Sequence, residues 1–173
     1  IPIVFFVYYN LLHRYGLGAF IKDSAAAGVD GILILDLPPE ESEDYSQLMV
    51  ESELCPVFLV APTTPDSRIK SIVEHGKGFI YYVSREGVTG MQSKVSGNIS
   101  SMIDRIHQHT DLPIAVGFGI SNPDQAKAVA EMGDAIVVGS AIVNQIAEQG
   151  KSDTLVPTVS QFVGSLAQAV KEV

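Results

Sequence analysis

The sequence predicts a (β/α)8-barrel, the TIM-barrel class of α/β fold, of which this chain holds about six βα units, strands 3 to 8. Short apolar runs rich in β-branched residues alternate with helix-like segments along the whole chain. The runs are apolar without a break, which is typical of a parallel sheet covered on both faces. The last two runs, residues 113–116 and 135–138, each lead into a Gly-rich turn. Such turns favour a barrel over a doubly wound sheet.

The order of elements follows from these runs and from the residues between them. Strands are predicted at residues 3–9, 31–36, 56–61, 79–83, 113–116 and 135–138. Helices are predicted at residues 19–27, from Pro38 onward, and at 64–75, 98–109, 122–133, 141–148 and 154–171. Proline and acidic residues mark the helix starts, with Thr64 as one N-cap, and glycine marks the ends. Residues 84–97 are predicted as a Gly- and Ser-rich loop.

The length of the chain bears on its domain organisation. Its 173 residues suffice for one domain with its own core, so we expect residues 1–173 to form a single partial TIM-barrel domain. Complete (β/α)8-barrels usually need roughly 250 residues. The sequence also opens directly on a strand-like run without Met. We therefore expect the first units of a larger barrel to precede Ile1.

Composition excludes several classes of partner. The net charge is −9 and the pI is near 4.7. Nucleic acid and anionic membrane surfaces are not expected as partners, because both need a basic protein face. The longest apolar run, residues 1–9, is too short to cross a bilayer. Cys55 is the only cysteine, which favours the cytoplasm, and it is expected at a helix end or in the core. The four histidines have no metal-ligand spacing, so no metal site is predicted.

The last two predicted strands carry the candidate binding residues. These are Gly117, Phe118 and Gly119 after one strand, and Gly139 and Ser140 after the other. Glycine at a strand end lets a ligand approach the main chain, and a helix beginning there points its N–H groups at the ligand. The loops after strands 7 and 8 of (β/α)8-barrels form the usual phosphate pocket. A small phosphorylated ligand is therefore predicted; the alternative is that these glycines only make tight turns.

Three other features have two possible interpretations each. Residues 84–90, with Arg85, Gly87 and Gly90, form either a loop that closes over a ligand or an ordinary surface loop. Asp36 lies at a strand end, where barrel enzymes place polar active-site groups, or else it caps the helix starting at Pro38. Tyr8, Tyr81 and Tyr82 lie at or near strand ends, and each is either a pocket residue or part of the core.

Four motifs, in this order and spacing, resemble those of the tryptophan synthase alpha subunit. They are DLPPEE at residues 36–41, GFIYYVSREGVTG at 78–90, VGFGIS at 116–121 and VVGSAIV at 137–143. The YYN sequence at residues 8–10 also fits. Each motif alone is weak, whereas the four together are very specific. The resemblance covers essentially all 173 residues and matches the C-terminal two thirds of the family, from its third barrel strand onward.

The resemblance implies a lyase that cleaves indole-3-glycerol phosphate to indole and glyceraldehyde 3-phosphate. This is a retro-aldol reaction without a cofactor, and it needs an acid at C3 of the indole and a base for the indole nitrogen or a glycerol hydroxyl. The family carries these roles on a Glu and an Asp of its second βα unit, which would precede Ile1. No catalytic acid or base is therefore assigned in this chain, and the chain alone is expected to be inactive.

The resemblance also implies the roles of residues that are present. Substrate and phosphate contacts map onto Tyr81, Gly90, Phe118, Gly119, Gly139 and Ser140. The mobile loop maps onto Arg85, Gly87 and Thr89, with Thr89 positioning the catalytic Asp and Asp36 as a second supporting residue. Asn10 and Pro38 map onto the face toward the beta subunit, which carries pyridoxal phosphate in an α2β2 complex.

Two alternatives stay open at this point. A sugar-phosphate isomerase or epimerase would share the Gly-ended strands, but would need its own acid and base on the strands present. A non-catalytic barrel fragment would bind phosphate or a partner without turnover. With six strands its two edges would carry unpaired N–H and C=O groups, which favours instability or association with another piece.

The resemblance predicts the effect of one substitution in the intact enzyme. Replacing Thr89 with Val removes the hydroxyl that positions the catalytic Asp but keeps the side-chain shape. We expect turnover to fall by more than about tenfold while phosphate affinity changes little. Steady-state kinetics with a phosphate-bearing inhibitor measure both quantities. A loss of affinity with unchanged turnover contradicts the assigned role.

Overall fold

The structure is a computed structural model that describes residues 1–84 and 92–173, with only the helical backbone described for residues 92–98. Strands alternate with helices along the described chain. The strands are β1 (Val4–Val7), β2 (Gly31–Ile34), β3 (Cys55–Val60), β4 (Ile80–Val83), β5 (Ile114–Gly117) and β6 (Ala135–Val137). The helices are α1 (Tyr9–Tyr15), α2 (Leu17–Ala26), α3 (Glu43–Glu51), α4 (Asp66–His75), α5 (Gln92–His107), α6 (Pro123–Ala130), α7 (Ser140–Gln149) and α8 (Leu155–Lys171).

The strands are hydrogen-bonded in chain order, from β1 to β6. The pairs β1–β2, β2–β3 and β5–β6 are parallel and in register, with Val7 opposite Ile34 and Gly117 opposite Val137. The predicted alternation of strand and helix is therefore confirmed. Parallel neighbours need a crossover connection, and helices supply it between the strands of each of these pairs.

The described chain divides into two compact units. Unit 1 comprises residues 1–81 and 105–113, and unit 2 comprises residues 82–104 and 114–173. Continuously apolar strands form the centre of each core, since all four residues of β2 and of β5 are buried. In unit 1, Ile69 and Ile72 of α4 are buried, and in unit 2 the same holds for Val129 of α6 and Leu166 of α8. The prediction of one domain over residues 1–173 stays a prediction.

Tyr45 fastens α3 to the sheet of unit 1. Its ring is buried and meets Phe58 of β3 edge-on, with centroids 6.2 Å apart. Its hydroxyl donates a 2.6 Å hydrogen bond to the main-chain oxygen of Ile32. Burial raises the pKa of the Tyr45 hydroxyl, so the phenol stays neutral and keeps its donor.

An aspartate before a strand fastens that strand to the preceding one in each unit. Asp30 precedes β2: its main-chain N–H donates to the oxygen of Ile3, and its carboxylate accepts the Ile3 N–H at 2.7 Å. Asp134 precedes β6 and makes the same two hydrogen bonds with Ile114, the carboxylate accepting at 2.8 Å. The starts of β2 and β6 are thereby held to the starts of β1 and β5. We call this reciprocal pair of bonds the aspartate clasp.

Three predicted element boundaries are wrong. Residues 9–15 form α1, which was not predicted because it has only seven residues and is followed by glycines typical of a loop. The helix expected from Pro38 begins instead as a 3₁₀ turn at Pro39–Glu41, and α3 starts at Glu43. Between them lies the buried Ser42, whose hydroxyl donates a hydrogen bond to the main-chain oxygen of Pro39. The loop predicted at residues 84–97 is too long, since α5 begins at Gln92.

Two further local predictions are wrong in detail. Thr64 does not cap α4, whose N-cap is Pro65; the Thr64 hydroxyl instead accepts the N–H of Ala61 at 3.0 Å. Cys55, expected at a helix end or in the core, is the first residue of β3 and is only partly buried. Both errors concern the one or two residues next to an element, where local contacts decide the boundary.

Some apolar side chains remain largely uncovered within the described residues. In unit 1, Phe6 on β1 is 54% exposed, and Tyr8 and Leu11 that follow it are also exposed. In unit 2, Val143 on α7 and Val156 on α8 are exposed, the latter by 71%. Separately, the described helices include none that is long and apolar enough to cross a membrane.

Gly31 provides a test of the strand packing in unit 1. A Cβ at this position would lie 2.9 Å from the main-chain oxygen of Cys55 on the paired strand, which cannot move aside cheaply. We expect Gly31→Ala to lower the free energy of unfolding by about 1–3 kcal/mol. Urea denaturation followed by circular dichroism measures this change.

Gly164 supplies the matched control. It lies inside α8, and a Cβ there would meet nothing within 4 Å. Gly164→Ala should raise the free energy of unfolding by about 0.5–1 kcal/mol through helix propensity. Equal effects of the two substitutions contradict the close approach at Gly31.

Candidate functional site

The structure places the five predicted phosphate-site residues at one edge of unit 2. Gly117 is opposite Val137 in the β5–β6 pair. Gly119 and Gly139 each lie two residues beyond that pair, with Phe118 and Ser140 beside them. Because carboxyl ends of parallel strands meet at the same edge of a sheet, these two corners are neighbours. The Ser84 N–H donates to the Gly117 oxygen at 2.9 Å, so the end of β4 is tied to the same edge.

Both glycine corners are open. Gly119 has φ +67°, the left-handed region that glycine adopts without strain. A Cβ built at Gly119 or at Gly139 would meet nothing within 4 Å. Both residues are exposed, whereas the neighbouring Phe118 is buried. A ligand at this edge can therefore approach the main chain of Gly119 and Gly139 directly, and Phe118 contributes mainly to the core of the unit.

Helix α7 begins at this edge. Its N-cap is Gly139, and among the described residues no side chain caps it, in contrast to α6, where the Asn122 side chain accepts the Gln125 N–H at 3.0 Å. The N–H groups of Ile142 and Val143 donate to the Gly139 oxygen. The N–H groups of Ser140 and Ala141 precede this first helical bond, and a helix start leaves such groups for water or a ligand. The arrangement suits a bound anion.

Tyr81 lies in unit 1, on β4. It is 8% exposed, and its ring meets Phe6 of β1 edge-on with centroids 5.7 Å apart. Burial raises the pKa of the Tyr81 hydroxyl, so it is a neutral hydrogen-bonding group at ordinary pH. Tyr82 is also buried, since both faces of β4 are covered. An aromatic pair with one exposed member, Phe6, is a suitable wall for a flat apolar ligand.

Asp36 has a partner that the sequence did not reveal. Its Oδ1 accepts the N–H of Tyr9, the first residue of α1, at 2.7 Å. The predicted alternative, that Asp36 caps the helix starting at Pro38, is therefore wrong; it caps α1. Pairing of Val7 with Ile34 explains the contact, because Tyr9 and Asp36 each lie two residues beyond that pair. Asn10 and Pro38 lie on the same two corners, and both are at least partly exposed.

A cavity of about 370 Å³ lies beside the Asp36 corner in unit 1. Its lining includes apolar residues such as Ile34, Phe58 and Ile72, together with the charged residues Asp36 and Arg68. The guanidinium of Arg68 is bound to both carboxylate oxygens of Glu40, at 2.6 and 3.1 Å. That ion pair neutralises the only cation among the lining residues, so the cavity is not suited to a phosphate. Sequence patterns gave no signal for it, because its walls come from two separate βα segments, residues 34–39 and 58–72.

The remaining predicted residues lie outside the described part of the chain. They are Arg85, Gly87, Thr89 and Gly90. Within residues 1–84 and 92–173, no three His, Cys, Asp or Glu side chains group closely enough to hold a metal ion.

Fold and site together define a class of protein. Parallel strands in chain order, each followed by a helix, with open glycine corners after β5 and β6, are the features of a βα-barrel protein. The family model for the tryptophan synthase alpha chain matches residues 1–171. The chain therefore belongs to the tryptophan synthase alpha chain family.

Individual relatives agree with this assignment. The tryptophan synthase alpha chain of Opitutus terrae is 46% identical over 172 residues, 99% of this chain and 65% of the relative. The crystal structure of the alpha subunit from Legionella pneumophila str. Paris superposes with a TM-score of 0.86 at 32% identity, covering 99% of this chain and 63% of that one. A tryptophan synthase complex from Pyrococcus furiosus gives 0.82 at 33% identity, with 96% and 66% covered.

These comparisons confirm the predicted fold class and the family resemblance. They also show that the chain spans slightly less than two thirds of the length of the relatives it matches.

Gly139 offers a clean test of the phosphate corner. Its φ of −116° lies outside the left-handed region that favours glycine, and a side chain there meets no protein atom within 4 Å. We expect Gly139→Val to leave the melting temperature unchanged but to weaken binding of glycerol 3-phosphate about tenfold, because the side chain fills the ligand's space. Titration calorimetry measures the affinity.

Gly164→Val is the control, since it makes the same change at an open position inside α8. It should leave the affinity for glycerol 3-phosphate unaltered. Equal affinities of wild type and Gly139→Val contradict the site.

Proposed function

We propose that this chain serves the alpha reaction of tryptophan synthase, the retro-aldol cleavage of indole-3-glycerol phosphate to indole and glyceraldehyde 3-phosphate. Family membership supports the proposal. The observation that carries it is the in-register pair of open glycine corners at Gly119 and Gly139, with the start of α7 behind them. This arrangement suits the phosphate that the substrate carries.

The proposed role of unit 2 is to hold the substrate phosphate. The main-chain N–H groups at Gly119 and Ser140 donate to phosphate oxygens, and the positive end of α7 favours the dianion. A main-chain cradle of this kind explains how a chain with a net charge of −9 binds an anion without a basic patch. Phosphate binding anchors one end of the substrate and so reduces the entropic cost of orienting the rest.

The proposed role of Tyr81 is to contact the apolar part of the substrate. With Phe6 it offers one buried and one exposed aromatic ring, which suits the flat indole. Its neutral hydroxyl can bond to the substrate without adding charge. No carboxylate of this chain is assigned the part of acid or base. We expect those groups on the βα unit to which the family resemblance assigns them, and we expect Thr89 to act on that Asp.

The proposed partner is a tryptophan synthase beta subunit. The Pyrococcus furiosus relative was solved as a tryptophan synthase complex. Asn10 and Pro38, the residues proposed to face the partner, are on corners that one hydrogen bond ties together. We further propose a cytoplasmic location, no bound cofactor in this chain and no nucleic-acid or membrane partner, in keeping with the acidic surface.

Binding and activity assays on the whole chain test the proposal. The chain should bind glycerol 3-phosphate and form a complex with a tryptophan synthase beta subunit, seen by sedimentation velocity. Gly139→Val should lose binding of glycerol 3-phosphate but keep complex formation with the beta subunit, since Gly139 lies in the phosphate corner of unit 2. Isomerisation of a sugar phosphate by the chain contradicts the proposal, and so does failure to bind both the phosphate and the beta subunit.

A further inference from the structure

We propose that Asp36 is a positioning residue that sets the orientation of the β1–α1 corner, residues 8–10, for docking of the partner. The identity of that partner rests on the proposed function. The positioning role itself rests only on contacts within unit 1, so it can be tested separately from the identity of the partner.

The corner is short, so few groups determine its direction. Strand β1 ends at Val7 and helix α1 begins at Tyr9, which leaves Tyr8 as the single linking residue. Tyr8 is the N-cap, with φ −95° and ψ 146°, and its side chain makes no capping hydrogen bond. The N–H of Tyr9 therefore needs an acceptor from elsewhere in the chain. Asp36 supplies it at 2.7 Å.

The position of Asp36 is itself well determined. The N–H of Leu35 donates to the oxygen of Val7 at 3.0 Å, which extends the β1–β2 ladder by one residue. The next residue, Asp36, then turns its carboxylate onto the first N–H of α1. Hydrogen bonds to a carboxylate are about twice as strong as those between neutral groups. The end of β2 thus acts as a fixed support for the start of α1.

Little else restrains the corner. Tyr8 is 57% exposed and Leu11 is 54% exposed, so neither anchors it by burial. Leu12 is the one buried residue of α1, a full turn away from Tyr8. With so few packing contacts, loss of one strong hydrogen bond should change the local opening equilibrium markedly.

The geometry gives this hydrogen bond a functional meaning. Asn10 follows directly after the donor, Tyr9, and Pro38 lies two residues after the acceptor, Asp36. One carboxylate thus links the two corners that carry the residues proposed to face the partner. Pre-ordering both corners lowers the entropy lost on binding, so Asp36 should raise partner affinity without touching the partner.

The variants Asp36→Ala and Asp36→Asn, with Asp30→Ala as control, test this inference in the whole chain. Asp30 is matched because it is also exposed and also accepts a main-chain N–H from the flank of β1 at 2.7 Å, but at the opposite end of the strands. Hydrogen exchange measures protection of the Tyr9 to Leu11 amides, and calorimetry measures affinity for a tryptophan synthase beta subunit. Thermal unfolding shows whether the two alanine variants are equally stable.

We expect Asp36→Ala to speed exchange at Tyr9 to Leu11 and to weaken beta-subunit binding, each by about tenfold. Asp36→Asn keeps an acceptor oxygen, so it should restore part of the amide protection and part of the beta-subunit affinity. Asp30→Ala should change neither the exchange at Tyr9 to Leu11 nor the affinity for the beta subunit, although it should lower thermal stability about as much as Asp36→Ala does. Phosphate affinity should be the same in all variants.

Two outcomes overturn the inference. One is unchanged amide protection in Asp36→Ala, which shows that the corner is held by other contacts. The other is an equal loss of partner affinity in Asp36→Ala and Asp30→Ala, which shows a general stability effect. If the wild-type chain binds no beta subunit, the proposed function fails, whereas selective loss of protection in Asp36→Ala still upholds the positioning role.

Discussion

In-register parallel pairing of neighbouring strands is the constraint from which the described functional features follow. Two strands that run the same way and start level also end level, so the residues after them meet at one edge. In unit 1 this brings Asp36 to the N–H of Tyr9, and in unit 2 it brings Gly119 level with Gly139. A shift of one residue in either pair would separate these partners and turn the strand side chains to the opposite faces.

The strands can keep this register only because their neighbours fit closely. Gly31 leaves room for the main-chain oxygen of Cys55, and a single methyl group there would force the two strands apart. Tyr45 holds α3 against the sheet through a buried hydrogen bond from its hydroxyl to the main-chain oxygen of Ile32. The apolar residues of β2 and β5 supply most of the burial, but small residues and a few directional bonds decide the alignment.

The sequence predicted the strands and the glycine corners after β5 and β6 well, and the connecting segments less well. Apolar runs and terminal glycines are local signals, so β2, β5 and the Gly119 and Gly139 corners could be located from them. The short helix α1 could not, because its start is stabilised by Asp36, 27 residues further along the chain. The cavity beside Arg68 could not be found for the same reason, since its walls are not neighbours in sequence.

The error at α5 has a different origin. Glycine and serine near residue 97 gave a local preference for loop, and the helical backbone observed from Gln92 overrides it. Family motifs, rather than physical patterns, supplied the roles of Tyr81, Asn10 and Pro38. Side-chain chemistry at a strand end indicates that a site exists there, but it does not specify which molecule occupies that site.

The aspartate clasp recurs with the same atoms at Asp30 and at Asp134. Each clasp involves only a strand and the strand before it, so the βα segments of β2 and β6 carry their own attachment to their predecessors. A fold assembled from such self-attaching modules can grow by gene duplication, because a copied segment arrives with the means of joining the sheet. The same property recommends these aspartates as splice points for protein engineers who wish to exchange βα segments between barrels.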